Sequence, residues 1–179
     1  MKKALLILPV MFLFVGCAKE PGAPLPPPEE STYTVTLTPA NSTLTTADSS
    51  AALQVELSAV EDAAVKYTLE IGSPCYLTTK DGFDEIIVKP GAYIKSVSSY
   101  TVDRIVIDFF SKKGINQTVY SKADGTGDAV EYHSSTTASV DTSTGSVYEY
   151  SINGTEWSIY NKTEYNKPAF YSVTIIFSK

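Results

Sequence analysis

From Tyr33 onward the apolar residues of this chain recur at every second position rather than every third or fourth, and that period commits the backbone to strands. In Arg104-Ile105-Val106-Ile107-Asp108-Phe109, the side chains of Ile105, Ile107 and Phe109 share one face; in the run 172–177, Val173, Ile175 and Phe177 do the same. Faces of this kind line a core. Further runs rich in Val, Ile, Thr, Tyr and Phe lie at 33–38, 65–71, 85–88, 117–121, 129–133, 147–152 and 156–160, separated by Gly, Asn, Asp and Ser clusters at intervals of about ten residues. The stretch 51–64 fits a strand through Leu53, Val55 and Leu57. It also fits a helix through Leu53, Leu57, Val60 and Ala64 after an Asp48 or Ser49 cap, and the strand is preferred because it gives a simple meander. Asn153-Gly154, between Ile152 and Trp157, is a favoured type I′ turn pair and predicts a hairpin over 147–160. Many short strands without a convincing helix predict an all-β fold, an antiparallel two-sheet β-sandwich of jelly-roll type.

The first thirty residues have a different character. Lys2 and Lys3 precede an apolar run from Ala4 to Val15, too short to span a bilayer and of the length of a secretory signal. Phe14-Val15-Gly16-Cys17 resembles the lipobox of bacterial lipoproteins, although Phe14 stands where leucine is usual. The resemblance implies removal of residues 1–16, acylation of Cys17 and an outer-membrane lipid anchor. Burial of acyl chains at about 0.8 kcal/mol per CH₂ would make such an anchor effectively permanent once several chains are attached. The sequence that follows, Ala18-Lys19-Glu20, is similar to the export signal of surface lipoproteins in gut-type Gram-negative bacteria, and implies that the domain faces the cell exterior. It carries one acidic residue where that pattern favours two, so a periplasm-facing position stays open. Residues 21–30, PGAPLPPPEE, predict a semi-rigid polyproline stalk of roughly 30 Å. The chain therefore divides into a signal peptide at 1–16, a lipidated cysteine and Pro-rich linker at 17–30, and one sandwich domain at 31–179. The pieces YIKSVSSYTVDRIVIDF and KPAFYSVTIIF also resemble the middle and closing strands of small sandwich domains in gut-bacterial surface lipoproteins. That likeness implies a fold and no activity.

Charge and chemistry narrow the function by subtraction. The formal charge is −6, about −8 without Lys2 and Lys3, and no basic patch interrupts it, which argues against nucleic acid as partner. With Cys17 acylated, Cys75 has no cysteine to pair with and reads as a buried structural residue. His133 is the sole histidine and lacks a triad partner, a zinc motif or a nucleophile elbow around it. Asp81, Asp84 and Glu85 cluster, as do Asp124 and Asp128, and read as loop residues that keep an acidic domain soluble rather than as the carboxylate pair of glycoside hydrolysis. The loop Asp124-Gly-Thr-Gly-Asp128 is the best metal candidate, without EF-hand spacing, and reads as a turn. No metal, no cofactor and no enzymatic activity are expected.

Aromatic residues supply the one positive signal. Six of the 12 tyrosines and the only tryptophan lie beyond residue 130. Tyr148, Tyr150 and Ile152 share one side of their strand while Tyr160 opposes Trp157 and Ile159, so some of these rings must leave the core. Trp157, Tyr160 and Tyr165, with Asn153 as a polar neighbour, are the candidate ligand-binding residues, and carbohydrate is the preferred ligand. The alternative is a structural or adhesive lipoprotein that binds protein partners at the cell surface through a sheet edge or loop rim.

Overall fold

The computed structural model describes residues 30–110, 118–163 and 167–179. Cys17, the predicted signal peptide, the lipobox and the stalk up to residue 29 lie outside the described residues, as does Tyr165.

Among the described residues twelve strands form two antiparallel sheets packed face to face: β1 (Thr32–Leu37), β2 (Leu53–Ser58), β3 (Lys66–Ile71), β4 (Cys75–Lys80), β5 (Phe83–Val88), β6 (Tyr93–Ser96), β7 (Thr101–Phe109), β8 (Val119–Tyr120), β9 (Tyr132–Ser134), β10 (Ser146–Gly154), β11 (Ser158–Tyr160) and β12 (Ala169–Ser178). The seven-stranded sheet runs β4-β5-β12-β7-β10-β9, with β1 also paired to the long β12. The five-stranded sheet runs β2-β3-β6-β11-β8. The protein is an all-β sandwich.

Register explains why the alternation works. Across the seven-stranded sheet, Val35, Ile175, Ile105 and Tyr150 stand in one row and Leu37, Val173, Ile107 and Tyr148 in the next. Across the five-stranded sheet, Leu53, Ile71, Ile94, Ile159 and Val119 form a row facing them. Every member of these rows except the partly buried Leu53 and Tyr148 is sealed from solvent. Tyr67 packs on Phe177 at a centroid distance of 4.9 Å, and its hydroxyl accepts a 3.0 Å hydrogen bond from Trp157 Nε1 and lies 2.7 Å from Ser96 Oγ. Two polar aromatic atoms are thereby satisfied inside an apolar core, which is what allows Tyr and Trp to be buried there.

The stretch 51–64 contains strand β2, so the alternating pattern prevails over the helical one. The expected hairpin over 147–160 does not form. β10 stays in the seven-stranded sheet between β7 and β9, whereas β11 joins the five-stranded sheet between β6 and β8. The connection crosses from one sheet to the other. Asn153 does take a left-handed φ of 49°, but Gly154 does not, and Gly154 returns to pair with Val102 across a bulge. Burial of Trp157 overrides the local turn preference: the chain must dive between the sheets to place that ring. The true two-residue hairpin is β4–β5, where Asp81 (φ 53°) and Gly82 (φ 88°) connect Lys80 to Phe83 in type I′ geometry.

Candidate functional site

The outer face of the five-stranded sheet carries the side chains that the inner rows exclude. Tyr93 on β6 and Tyr160 on β11 are direct cross-strand partners. Their rings are parallel, 2° between planes and 6.4 Å between centroids, and both are half-buried. Tyr93 lies over the backbone at Gly72, where a Cβ would fall 2.4 Å from the ring, so glycine is required there. The Tyr93 hydroxyl donates to Glu70 Oε1 at 2.7 Å, and Lys95 Nζ reaches the same oxygen at 2.9 Å while sitting 5.0 Å from the Tyr93 ring centroid. The Lys95 hydrogen bond, followed by that of Tyr93, holds the Glu70 carboxyl below its ordinary range.

A loop over 121–128 folds against this face. Ser158 Oγ donates to the Lys122 carbonyl at 2.7 Å, and Ser121 N donates to the Asp128 carbonyl at 3.0 Å, which together pin the loop to β11 and close its base. At its tip Gly125 has a φ of 73°, and a Cβ there would come within 2.8 Å of Tyr160 Cγ. Backbone therefore rests directly on the tyrosine. Asp124 Oδ1 accepts from Thr126 Oγ1 at 2.6 Å and Thr126 N at 2.9 Å, and these bonds lower its pKa. Between the loop and the sheet opens a cleft of about 350 Å³ lined by Gly91, Asp124, Gly125, Thr126, Tyr160, Asn161 and Lys162. Lys162 Nζ sits 3.8 Å over the Tyr120 ring.

Of the three candidate ligand-binding residues that the structure describes, Trp157, Tyr160 and Asn153, it brings Tyr160 alone to this cleft. Trp157 is fully buried and hydrogen-bonded to Tyr67, which corrects its placement on a ligand platform. Asn153 is exposed at the end of β10 and is not among the cleft residues. Tyr165 lies outside the described residues. Asn161 lines the cleft but is buried, its amide donating to the Val88 carbonyl at 2.9 Å and its Oδ1 accepting from Thr163. It holds the turn after β11 in place.

The sequence reading missed Tyr93, although the alternation Tyr93-Ile94-Lys95-Ser96 does place Tyr93 and Lys95 opposite Ile94 and Ser96. Asp124, read as part of a simple turn, is the acid of the cleft. Among the described residues no group of three or more His, Cys, Asp and Glu side chains is arranged to hold a metal ion. Cys75 is buried on β4 and its thiol is pushed up to about 12 by that burial, then by Asp48. His133 is exposed on β9, with Nε2 3.5 Å from Glu149 Oε1.

These features define a class, the all-β sandwich with an aromatic, charge-balanced cleft on one sheet face. No protein family matches the chain, and no match is found among curated proteins or solved structures.

Proposed function

We propose that this chain is a lipoprotein, anchored in the outer membrane through Cys17 and facing the exterior, whose sandwich domain binds carbohydrate without catalysis. The observation that carries the binding reading is the parallel Tyr93–Tyr160 pair on an outer sheet face. A sugar ring presents an apolar C–H face and a polar rim, and needs a flat aromatic surface bordered by a few fixed polar groups. Tyr93 and Tyr160 supply the surface; Glu70, Lys95, Asp124 and Lys162 border it. The anchor rests on the likeness of residues 14–17 to a lipobox.

The jelly-roll reading draws support from strand order. The first and last strands, β1 and β12, are neighbours in one sheet, and the runs β1-β12-β7-β10 and β6-β11-β8 follow the adjacency of a jelly roll, with β2–β3 and β4–β5 as additions.

A screen of the purified chain on a glycan array tests the binding reading. Saturable binding is expected, and Tyr93→Ala and Tyr160→Ala should each weaken it at least about tenfold while leaving the fold intact by circular dichroism. Absence of binding across neutral and acidic glycans would overturn it. The alternative, a protein partner, is favoured by one feature: among the described residues β9 pairs with β10 alone and ends the seven-stranded sheet, with Tyr132 exposed on it. Crosslinking on whole cells would then be the informative measurement.

A further inference from the structure

The cleft beside Tyr160 has a chemistry more specific than that of the aromatic pair, and the deduction that follows rests on the carbohydrate reading. We infer that the cleft formed by the 121–128 loop, Tyr160 and Lys162 is the specificity subsite of this face and takes the vicinal hydroxyls of a neutral sugar, excluding uronate and sulfated sugars.

Three observations lead there. The first is that the cleft joins one fixed acceptor and one donor beside an aromatic ring. Asp124 spends Oδ1 on Thr126, and Oδ2 has no hydrogen bond among the described residues. Lys162 holds its ammonium over Tyr120 at the same cleft and forms no ion pair among the described residues. A pair of adjacent hydroxyls can donate to the carboxylate and accept from the ammonium together, because each hydroxyl is both donor and acceptor.

The second observation is the accounting of cations. Lys95 is committed to Glu70 at 2.9 Å and Lys122 to Glu156 at 3.3 Å. The chain has a single arginine, Arg104, and it lies on β7 of the other sheet. No guanidinium is therefore at hand for the bidentate grip that carboxylate and sulfate groups favour. Lys162 and Asp124 both line the cleft, so cation and acid face the same space. An anionic sugar would meet an ionised carboxylate that its own hydrogen bonds keep charged, in a chain whose formal charge is already −6.

The third observation is rigidity. Gly125 rests on Tyr160, Ser158 ties down Lys122, and Thr126 fixes the Asp124 carboxylate, so the acceptor is positioned before any ligand arrives. Preorganised groups bind without the ordering cost that a floppy loop would incur.

The test is titration calorimetry of the purified chain with neutral hexose and pentose oligosaccharides and with uronate-containing and sulfated ones of matched length. Neutral oligosaccharides alone should bind. Asp124→Asn, which keeps the Thr126 turn, should weaken binding about tenfold, as should Lys162→Ala, while both variants unfold with the parent. Preferential binding of uronate or sulfated sugars, lost in Tyr160→Ala, would overturn the inference and leave the aromatic platform standing. So would neutral-sugar binding that Tyr93→Ala abolishes but Asp124→Asn and Lys162→Ala do not touch. Failure of every sugar to bind would overturn the platform and the subsite together.

Discussion

On the outer face of the five-stranded sheet Glu70 meets Lys95 and Tyr93 in partial contact with water, whereas on the outer face of the seven-stranded sheet Glu85, Asp108 and Asp141 are almost sealed from it. The difference lies in what covers each sheet. Residues 135–145 fold over the seven-stranded sheet and are fastened by its acids: Asp108 Oδ1 accepts from Ser139 Oγ at 2.6 Å and Oδ2 from Val140 N at 2.7 Å. Asp141 accepts from Ser143, Thr144 and, at 3.4 Å, the Tyr171 hydroxyl, and the Ser143 bonds above all bring its pKa down to about 2. Gly145 closes this segment, since a Cβ there would lie 2.0 Å from Ser139 Oγ. On this face Asp108 and Asp141 serve as structural fasteners. On the other, carboxylates are left at the margin of a cleft, which is why the proposed ligand site lies there and not at the larger acidic cluster.

The largest effect should come from removing a fastener. Asp108→Ala deletes two charge-assisted hydrogen bonds and strands their donors, so a loss of about 3 kcal/mol in urea denaturation is expected. Hydrogen exchange should localise the loosening to the amides of 137–145 ahead of the rest of the chain. Uniform acceleration, or no local change, would mean that the segment is held by packing and that Asp108 is not its anchor.

Glu85 should come next, with the opposite sign. It is buried on β5, its Oε1 has no hydrogen-bond partner, and burial raises its pKa, with Asp81 and Asp141 adding to the rise and Lys80 opposing it. A carboxyl whose folded pKa lies above its unfolded value stabilises most fully at pH below the unfolded value, and that stability is lost as pH rises through the folded one. Glu85→Gln, which cannot ionise, should therefore be more stable than the parent at pH 7 by about 1–3 kcal/mol, the cost of a poorly satisfied buried group. The gain should shrink toward pH 4. A variant less stable at both pH values would show that the Glu85 carboxylate is compensated where it sits.

The two faces also differ in how far they were legible. Rows such as Ile71-Ile94-Ile159 follow from a period of two and a polar alternate, so the sandwich and ten of its strand regions could be read directly from the chain. β4 escaped because its burial does not alternate, and β6 because four residues carry little periodicity. The hairpin error has a tertiary cause: Trp157 needed the core, and a local turn preference worth little next to a buried indole gave way. Tyr160 was recognisable as the ring on the wrong side of its strand. Tyr93 and Asp124 were not joined to it, because their meeting depends on β6 lying beside β11 and on Gly125 allowing the 121–128 loop to approach, neither of which is a local property of the sequence.

The smallest expected effect, and the sharpest contrast with Glu85, is at Glu70. Its carboxyl is held low by Lys95 and Tyr93, so it contributes stability above the unfolded pKa and loses it as pH falls through the folded one. Because the ion pair is partly open to water, Glu70→Gln should cost less than about 1 kcal/mol at pH 7, less again in high salt, and nothing at low pH. Plotted together, the pH profiles of Glu70→Gln and Glu85→Gln should run in opposite directions, a destabilisation that fades on acidification against a stabilisation that fades on acidification. Should Glu70→Gln instead cost several kcal/mol, the five-stranded face would be a sealed structural surface like its counterpart. The Tyr93–Tyr160 pair would then have lost the solvent access that a sugar needs.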